Sequence, residues 1–416
     1  MARSLEMLVC QDTCRICATP IGDDKLIDFD ALPVAGAYVS PKDAPPDPVF
    51  PLTLLRCSGC GLVQLRESLA PEFYSHYSFM SGVANGYKDY LSRLASHLGE
   101  YLVKGSRVLE IGCSDGTLLQ FLQDVGLSVA GFEPAMEPAT AAQEKGLSVV
   151  KDFFHSDSAV QSGFESVDLV IIRHVLEHIN DFSSIFAGID LLAKPDAMLL
   201  IEVPDLTSTI EQSIYSNIYH IHPCYFDVET MSELLERYGW ERVDSTTVDI
   251  FGGSLLLWAQ RKGAASKRNS TPLLSFEKVA CHPARGTTPT ELKNFILNWK
   301  AAAQATRDFF DEFRDRGVLV AGYGAAERTT SLMGVSGLDG SHISVIFDRN
   351  PNLIGRALPG SRVLILNPDT ISEHNIEYLV IFAQSFQSEI VRQQAAFRDA
   401  GGKFISLRSG IPTIVA

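Results

Sequence analysis

Residues 107–122, RVLEIGCSDGTLLQFL, join a short apolar run, a glycine-rich turn and the beginning of a second apolar segment. The run at 108–111 has the length and composition of a buried strand, and the pattern predicts a helix from about Thr117. Gly112 and Gly116 would let the backbone approach a ligand closely, and the helix N-terminus would present N–H groups to it. The stretch therefore predicts the strand, turn and helix that open a ligand-binding α/β domain.

The residues that follow continue the alternation of strands and helices. The segment SVAGFEP ends in Glu133, and an acidic side chain about 20 residues after such a turn can accept both hydroxyls of a ribose. A solvent-facing strand end is the alternative for Glu133. VDLVIIRHVLEHI (167–179) and AMLLIEVPD (197–205) extend the pattern to a doubly wound parallel sheet. Because ligands lie beyond the carboxyl ends of its strands, we expect Gly112, Glu133, His174 and His178 around one crevice.

Length, charge and hydropathy restrict the class of protein. The 416 residues exceed the ~250–300 over which a single hydrophobic core grows, so two or three domains are expected. The net charge of -15 argues against a nucleic-acid partner. No apolar run reaches the ~18–20 residues that span a bilayer, and the first residues lack the features of a signal peptide. We expect a cytoplasmic protein that needs no membrane.

Four cysteines form two CxxC pairs, CRIC with Cys14 and Cys17, and CSGC with Cys57 and Cys60. Two such pairs can supply four thiolates to one tetrahedral zinc ion, and a small segment rich in loops needs a stabilising cross-link of this kind. Since four thiolates leave no open position, we expect a structural zinc site. The predicted zinc-binding domain covers residues 1–75.

A second α/β unit is predicted after a connector rich in Lys, Ser, Gly and Pro. The middle domain is placed at 76–265 and the last domain at 285–416, which contains the strand and glycine turn VLVAGYGAAERTTSLM. The turn, with Tyr323, could cradle a pyrophosphate through backbone N–H groups, and Arg328 could supply charge. A tight turn needed only for packing is the alternative.

With these motifs in view, the chain resembles the sugar C-methyltransferase family of deoxysugar biosynthesis, over nearly all of its length. Similar to that family are LLRCSGCGLVQL in the zinc-binding domain, VLEIGCSDGTLL, GFEPA and RHVLEHI in the middle domain, and AGYGAAERTTSLM, QSFQSEI and GGKFISL in the last domain. The resemblance implies a Rossmann-like S-adenosylmethionine (SAM)-dependent methyltransferase domain between the zinc-binding domain and a second Rossmann-like α/β domain. The implied partner is a small molecule, a nucleotide sugar.

The resemblance also implies site residues. The family signature Tyr-His-Glu-His, followed by Tyr-Phe, is here Tyr219, His220, Ile221, His222, Tyr225 and Phe226. The family's base falls on His222, with Tyr219 and His178 close to the reacting carbon. His220, Tyr225, Tyr323 and Arg328 fall on the substrate side. The implied cofactor contacts are Glu110, Gly112, Cys113, Gly116, Glu133, His174, Phe79 and Ser81. For Phe79 and Ser81, an ordinary join between strand and loop is the alternative.

The implied chemistry begins with a base that removes a hydrogen from the carbon next to a ketone, giving an enolate that attacks the methyl group of SAM. Imidazole suits this task near neutral pH. Ile221 and Phe251 depart from the family pattern, where Glu and His are usual, and Arg328 replaces Lys. These changes keep two alternatives open: methylation of a natural-product intermediate without a nucleotide, and a protein that binds SAM or a nucleotide without catalysis.

Overall fold

The computed structural model describes residues 7–22, 25–42, 47–76, 80–82, 85–264 and 281–415. Of the predicted site residues, Phe79 lies outside this part of the chain.

The strands and helices are numbered here in chain order. The strands are β1 (Leu8–Cys10), β2 (Lys25–Pro33), β3 (Val49–Arg56), β4 (Val63–Leu65), β5 (Glu67–Leu69), β6 (Arg107–Ile111), β7 (Ser128–Phe132), β8 (Val149–Val150), β9 (Val167–Arg173), β10 (Ala193–Pro204), β11 (Cys224–Tyr225), β12 (Trp240–Val248), β13 (Ser254–Arg261), β14 (Cys281–Pro283), β15 (Val320–Tyr323), β16 (Ile346–Phe347), β17 (Ile365–Leu366), β18 (Tyr378–Ile381), β19 (Lys403–Ser406) and β20 (Thr413–Val415). The α-helices are α1 (Asn85–Tyr101), α2 (Thr117–Asp124), α3 (Met136–Glu144), α4 (Ser156–Gln161), α5 (Phe182–Leu192), α6 (Leu206–Glu211), α7 (Val228–Arg237), α8 (Pro289–Asp315), α9 (Glu327–Ser336), α10 (Gln387–Gln393) and α11 (Ala395–Asp399).

An eight-stranded sheet with the order β14-β12-β13-β10-β9-β6-β7-β8 forms the middle of the protein. The strands from β10 to β8 run parallel, whereas β13 and β12 are antiparallel to their neighbours. The strand β9 is apolar from Leu169 to Ile172 because both of its faces are covered there: Val170 and Ile172 pack into one cluster, and Leu169 and Ile171 into another. The predicted Rossmann-like methyltransferase fold is confirmed, with the stretch at 107–122 forming β6, the turn and α2.

The first segment builds a sheet of order β11-β4-β3-β2 and a separate pair, β1 with β5. Its strand β11 comes from residues 224–225, far along the chain, and pairs with β4. The last segment forms a sheet of order β17-β16-β15-β18-β19-β20, parallel except for β20. Its strand order reverses between β15 and β18, as in other doubly wound folds. The second predicted α/β domain is therefore also confirmed.

Contacts between the segments are close. The ring of Trp299, on α8, packs against Phe29 of β2, with ring centroids 5.5 Å apart. Asp47 accepts hydrogen bonds from Arg362 in the last segment and from the N–H of Gly360. The domain limits at residues 75, 265 and 285 stay a prediction. The strand β11 comes from the middle segment but joins the sheet of the first segment, across the limit at residue 75, and β14 lies close to the limit at residue 285. Within the described ranges, no helix combines the length and apolar character that crossing a bilayer requires.

Candidate active site

The four cysteines of the two CxxC pairs lie together, with their sulfur atoms within 4.8 Å of one another. The Sγ atoms of Cys14 and Cys60 are 3.5 Å apart, and those of Cys17 and Cys57 are 3.4 Å apart. A tetrahedral zinc ion with bonds of about 2.3 Å places its sulfur ligands about 3.8 Å apart, so this arrangement fits zinc. The ion would fasten the turn between β1 and β2 to the turn between β3 and β4.

A cavity of about 480 Å³, here called the donor cavity, opens at the carboxyl ends of β6, β7 and β9. Its polar lining comprises Tyr74, Ser81, Tyr87, Glu110, Ser114, Glu133, Asn180, Asp181, Ser184, His155, Arg173, His174 and His178. Gly112 also lines it, with φ of 74°, and a Cβ there would lie 2.3 Å from Cγ2 of Val175. The turn therefore requires glycine for both its conformation and its close approach to the next loop.

Glu133 holds the glycine turn in shape while facing the donor cavity. One carboxylate oxygen accepts a hydrogen bond from the N–H of Ser114, and the other from the N–H of Ala135, both at 2.8 Å. Each oxygen keeps a second lone pair, so the carboxylate can still accept the hydroxyls of a ribose. Burial raises the pKa of Glu133 above its usual range, although the two N–H groups oppose this shift.

A buried charged network lies beside the turn. Arg173 donates to Glu202 at 2.7 Å, stands 3.6 Å from Glu110, and donates to the hydroxyl of Tyr87. Burial raises the pKa of Glu110 to about 7, even with Arg173 adjacent. Burial also acts on Glu202, but Arg173 and His174 outweigh it and lower the pKa of Glu202 to about 2. The network thus keeps an arginine and a glutamate charged in the interior.

His174 lies between two carboxylates. Its ring nitrogens are 3.4 Å from Glu177 and 3.5 Å from Glu202. Burial disfavours the charged ring, but the two carboxylates outweigh it and raise the pKa of His174 to about 9. His174 is therefore an imidazolium at neutral pH, on the wall of the donor cavity.

The predicted catalytic residues form one contact group. The hydroxyl of Tyr219 is 3.0 Å from Nε2 of His222, and the rings of His222 and His178 pack edge to face, with centroids 4.8 Å apart. The carbonyl of Ile221 accepts a hydrogen bond from Nδ1 of His178 at 2.7 Å and from the hydroxyl of Tyr74 at 3.0 Å. Position 221 therefore orients an imidazole through its backbone, although its apolar side chain cannot.

A second cavity of about 250 Å³, here called the interdomain cavity, lies between the middle and last segments. It shares Ser81 and Tyr87 with the donor cavity. Its further lining includes Tyr38, Phe251, Tyr323, Gly324, Glu327, Asp348, Arg349, Phe386 and Glu389. The two cavities are therefore adjacent.

The structure separates the predicted residues into those that line a cavity and those that do not. Ser81, Glu110, Gly112, Glu133, His174 and His178 line the donor cavity, and Tyr323 lines the interdomain cavity. His222 lines neither: it is 8% exposed and lies against His178. The side chain of Cys113 packs against Gly131 in an apolar cluster, and Gly116 packs against Leu147.

Three residues predicted on the substrate side have other contacts. His220 is buried and donates to the carbonyl of Pro51 at 3.0 Å. The hydroxyl of Tyr225 accepts a hydrogen bond from the N–H of Tyr219 at 3.2 Å. The guanidinium of Arg328 donates to the carbonyl of Phe251 at 2.7 Å, and its charge acts on the pKa values of Tyr219 and His222. The contacts of His220 and Tyr225 are those of residues that shape the 216–227 loop.

Sequence reasoning did not single out several residues of the site. Tyr74 contacts His178 and lines the donor cavity, and Tyr87 lines both cavities. Arg173 is the last residue of β9 and pairs with Glu202, near the end of β10, so the two meet close to the sheet edge. Their position in the sequence could have predicted this contact, because neighbouring parallel strands bring their carboxyl ends together. Tyr74 gave no such signal, since it comes from another segment.

Three domain families match almost the whole chain. The family described as "Putative zinc binding domain" matches residues 14–73, "Methyltransferase domain" matches 81–245, and "C-methyltransferase C-terminal domain" matches 249–407. These matches and the four clustered cysteines confirm the predicted cofactors, SAM and zinc.

The chain is also similar to individual proteins. C-methyltransferase NovU of Streptomyces niveus is 28% identical over 404 residues, covering 95% of this chain and 94% of that protein. A ubiquinone biosynthesis O-methyltransferase of Actinobacillus pleuropneumoniae is 31% identical over 121 residues, 27% of this chain and 49% of that protein. The SAM-bound magnesium protoporphyrin IX methyltransferase of Synechocystis PCC 6803 is 18% identical, with a TM-score of 0.32, over 42% of this chain and 80% of that one. The chain is therefore a homologue of C-methyltransferase NovU, with a SAM-dependent methyltransferase domain between a zinc-binding domain and a C-methyltransferase C-terminal domain.

Proposed function

We propose that the protein methylates the carbon next to the ketone of a nucleotide-linked deoxy keto sugar, with His222 as the base. The observation that carries the proposal is the contact group of His178, His222 and Tyr219 beside the donor cavity. The NovU resemblance over 95% of the chain supports a carbon acceptor. The cytoplasmic location stays a prediction.

Residues of the donor cavity would hold SAM. Gly112 permits close backbone approach, and Glu133 can accept ribose hydroxyls. SAM, when bound, supplies an electrophilic methyl group on a positively charged sulfur. Ser81 and Tyr87, which line both cavities, are positioned to separate donor from acceptor.

His222 would take the proton from the acceptor carbon. The C–H bond breaks, its electron pair stays on the acceptor as an enolate, and the proton forms an N–H bond on the imidazole. Burial, and then the nearby His178, Arg328 and His174, hold the pKa of His222 well below its ordinary value. The ring is therefore neutral at neutral pH and able to accept a proton.

Tyr219 would stabilise the enolate. Burial raises the pKa of Tyr219 well above its ordinary range, so its hydroxyl stays protonated and can donate a hydrogen bond. One donor aimed at a developing oxyanion is commonly worth about 3 kcal/mol. His178 is the competing base, because it lines the donor cavity whereas His222 lies behind its ring.

The interdomain cavity would receive the acceptor. Tyr323 can stack on or hydrogen-bond to a nucleotide, and Arg349, which donates to the Tyr323 hydroxyl at 3.2 Å, can meet a phosphate. However, Glu327, Asp348 and Glu389 line the same cavity. These three carboxylates favour the second candidate, a natural-product acceptor without a diphosphate.

The test is hydrogen exchange at the acceptor carbon. Zinc-loaded protein is incubated in D₂O with SAM and a panel of nucleoside-diphosphate-linked keto deoxy sugars, and exchange and methylation are followed by NMR and mass. We expect one member to exchange its α-hydrogen and gain a carbon-bound methyl group. His222→Asn should lower exchange by about 100-fold or more, while His97→Asn, on α1, should not.

Two results would contradict the proposal. Methylation of nitrogen or oxygen would show a different reaction. Hydrogen exchange that survives in His222→Asn but is lost in His178→Asn would show that His178 is the base.

A further inference from the structure

Glu177 is a buried carboxylate that the proposed reaction does not yet use. It lies in a short 3-10 helix, Leu176–His178, and is 2% exposed. Within the described part of the chain, neither of its oxygens has a well-formed hydrogen bond, although Nδ1 of His174 is 3.4 Å from one of them. Burying a carboxylate with so few hydrogen-bond partners costs free energy, so the presence of Glu177 at this position calls for an explanation.

The carboxylate of Glu177 faces the proposed base. Ring nitrogens of His178 and His222 and an oxygen of Glu177 all lie within 4.8 Å of one another. Burial, and then His178, Arg328 and His174, disfavour a proton on the ring of His222. Glu177 is therefore a negative charge close enough to offset them.

Position 221 cannot supply this charge. The side chain of Ile221 is fully buried in an apolar cluster with Val34, Phe50 and Leu69, and its Cδ1 points toward Gly36 of the first segment. The carboxylate that a signature glutamate would bring is absent from this loop. A buried base that becomes an imidazolium needs a nearby negative charge, since its charged form loses hydration.

We propose that Glu177 is a positioning residue that stabilises the proton on His222 after its removal from the acceptor carbon. The inference rests on the proposed function, because it assumes that His222 is the base. A role limited to balancing the charge of His174 is the alternative. The two differ in their effect on the titration of His222.

The test compares Glu177→Gln with Glu177→Asp, and with Glu211→Gln in a different surface cleft as the matched control. Binding of SAM by calorimetry shows that each variant is folded. The titration of His222 is read from protein labelled with ¹⁵N-histidine, with His222→Asn assigning its signal. This measurement needs no acceptor.

We expect Glu177→Gln to move the titration of His222 to lower pH, because the stabilising charge is gone. The acid limb of the pH–rate profile should move in the same direction. Exchange with the active acceptor at neutral pH should fall by about 10- to 100-fold, because the imidazole becomes a weaker base. Glu177→Asp should recover part of the rate, and Glu211→Gln should match the unchanged protein.

The inference is overturned if Glu177→Gln binds SAM but leaves the titration of His222 unchanged. It is also overturned if Glu177, His178 and His222 hold a metal ion, which would appear as a second equivalent of metal that Glu177→Gln loses. Failure of the proposed function looks different, because His222→Asn would then retain exchange whatever the outcome for Glu177.

Discussion

The clearest quantitative prediction concerns Gly112, at the turn after β6. Gly112→Ala places a side chain at φ of 74°, which costs about 1–2 kcal/mol in the left-handed region. The new Cβ would also lie 2.3 Å from Cγ2 of Val175, a β-branched side chain with little rotamer freedom. Relieving this overlap costs about 1–3 kcal/mol more. The expected loss is therefore about 2–5 kcal/mol in the free energy of unfolding, together with weaker SAM binding.

Two further variants separate these contributions in urea unfolding. Gly105 has φ of 83°, but a Cβ there would meet no described atom within 4 Å, so Gly105→Ala should lose only the backbone part. The double variant Gly112→Ala/Val175→Ala should recover the steric part of the loss, minus the cost of truncating Val175 to alanine. A double-mutant cycle measures this recovery. If Gly112→Ala costs no more than Gly105→Ala, the close approach of the turn to Val175 is refuted.

Three other predictions follow from the buried groups. Cys14→Ser should reduce zinc from about one ion per chain to a small fraction and unfold the first sheet, as measured by metal analysis and circular dichroism. The raised pKa of His174, about 9 against an ordinary 6.5, contributes up to about 3 kcal/mol of stability below pH 6.5 that is lost as pH rises through 9. Urea unfolding at pH 7 and pH 10 should show this loss, and His174→Asn should lack it. Ile221→Glu should lower the free energy of unfolding by about 2–5 kcal/mol and should not increase turnover, because its carboxylate would enter the apolar cluster beside Phe73. A stable and more active Ile221→Glu protein would contradict the packing described.

The parts of the structure that depend on local sequence patterns were predictable. The strand, turn and helix of 107–122, the zinc cysteines, and the place of Glu133 all depend on spacing or on one-dimensional periodicity. The doubly wound sheet followed from the alternation of strands and helices. These features need no knowledge of which distant segments meet.

The features that were not predictable depend on distant contacts or on backbone atoms. The carbonyl of Ile221 orients His178, and nothing in the side-chain sequence shows where a carbonyl points. The sequence placed Tyr74 in the zinc-binding domain and gave no reason to expect its hydroxyl at the same carbonyl. Similarly, His220 matches a motif position, but its hydrogen bond to Pro51 depends on how β3 approaches the loop. Motif position therefore indicated which residues lie near one another, but not the contacts that each one makes.

The pairing of β11 with β4 has a consequence for protein engineering. The same short strand that follows His222 completes a sheet of the amino-terminal module, and Tyr74 of that module holds the loop from the other side. Excision of the first 75 residues would leave the 216–227 loop without its edge partner and without its anchor. A chimera that exchanges amino-terminal modules between relatives should therefore carry residues 216–227 from the same parent, so that loop and module remain matched.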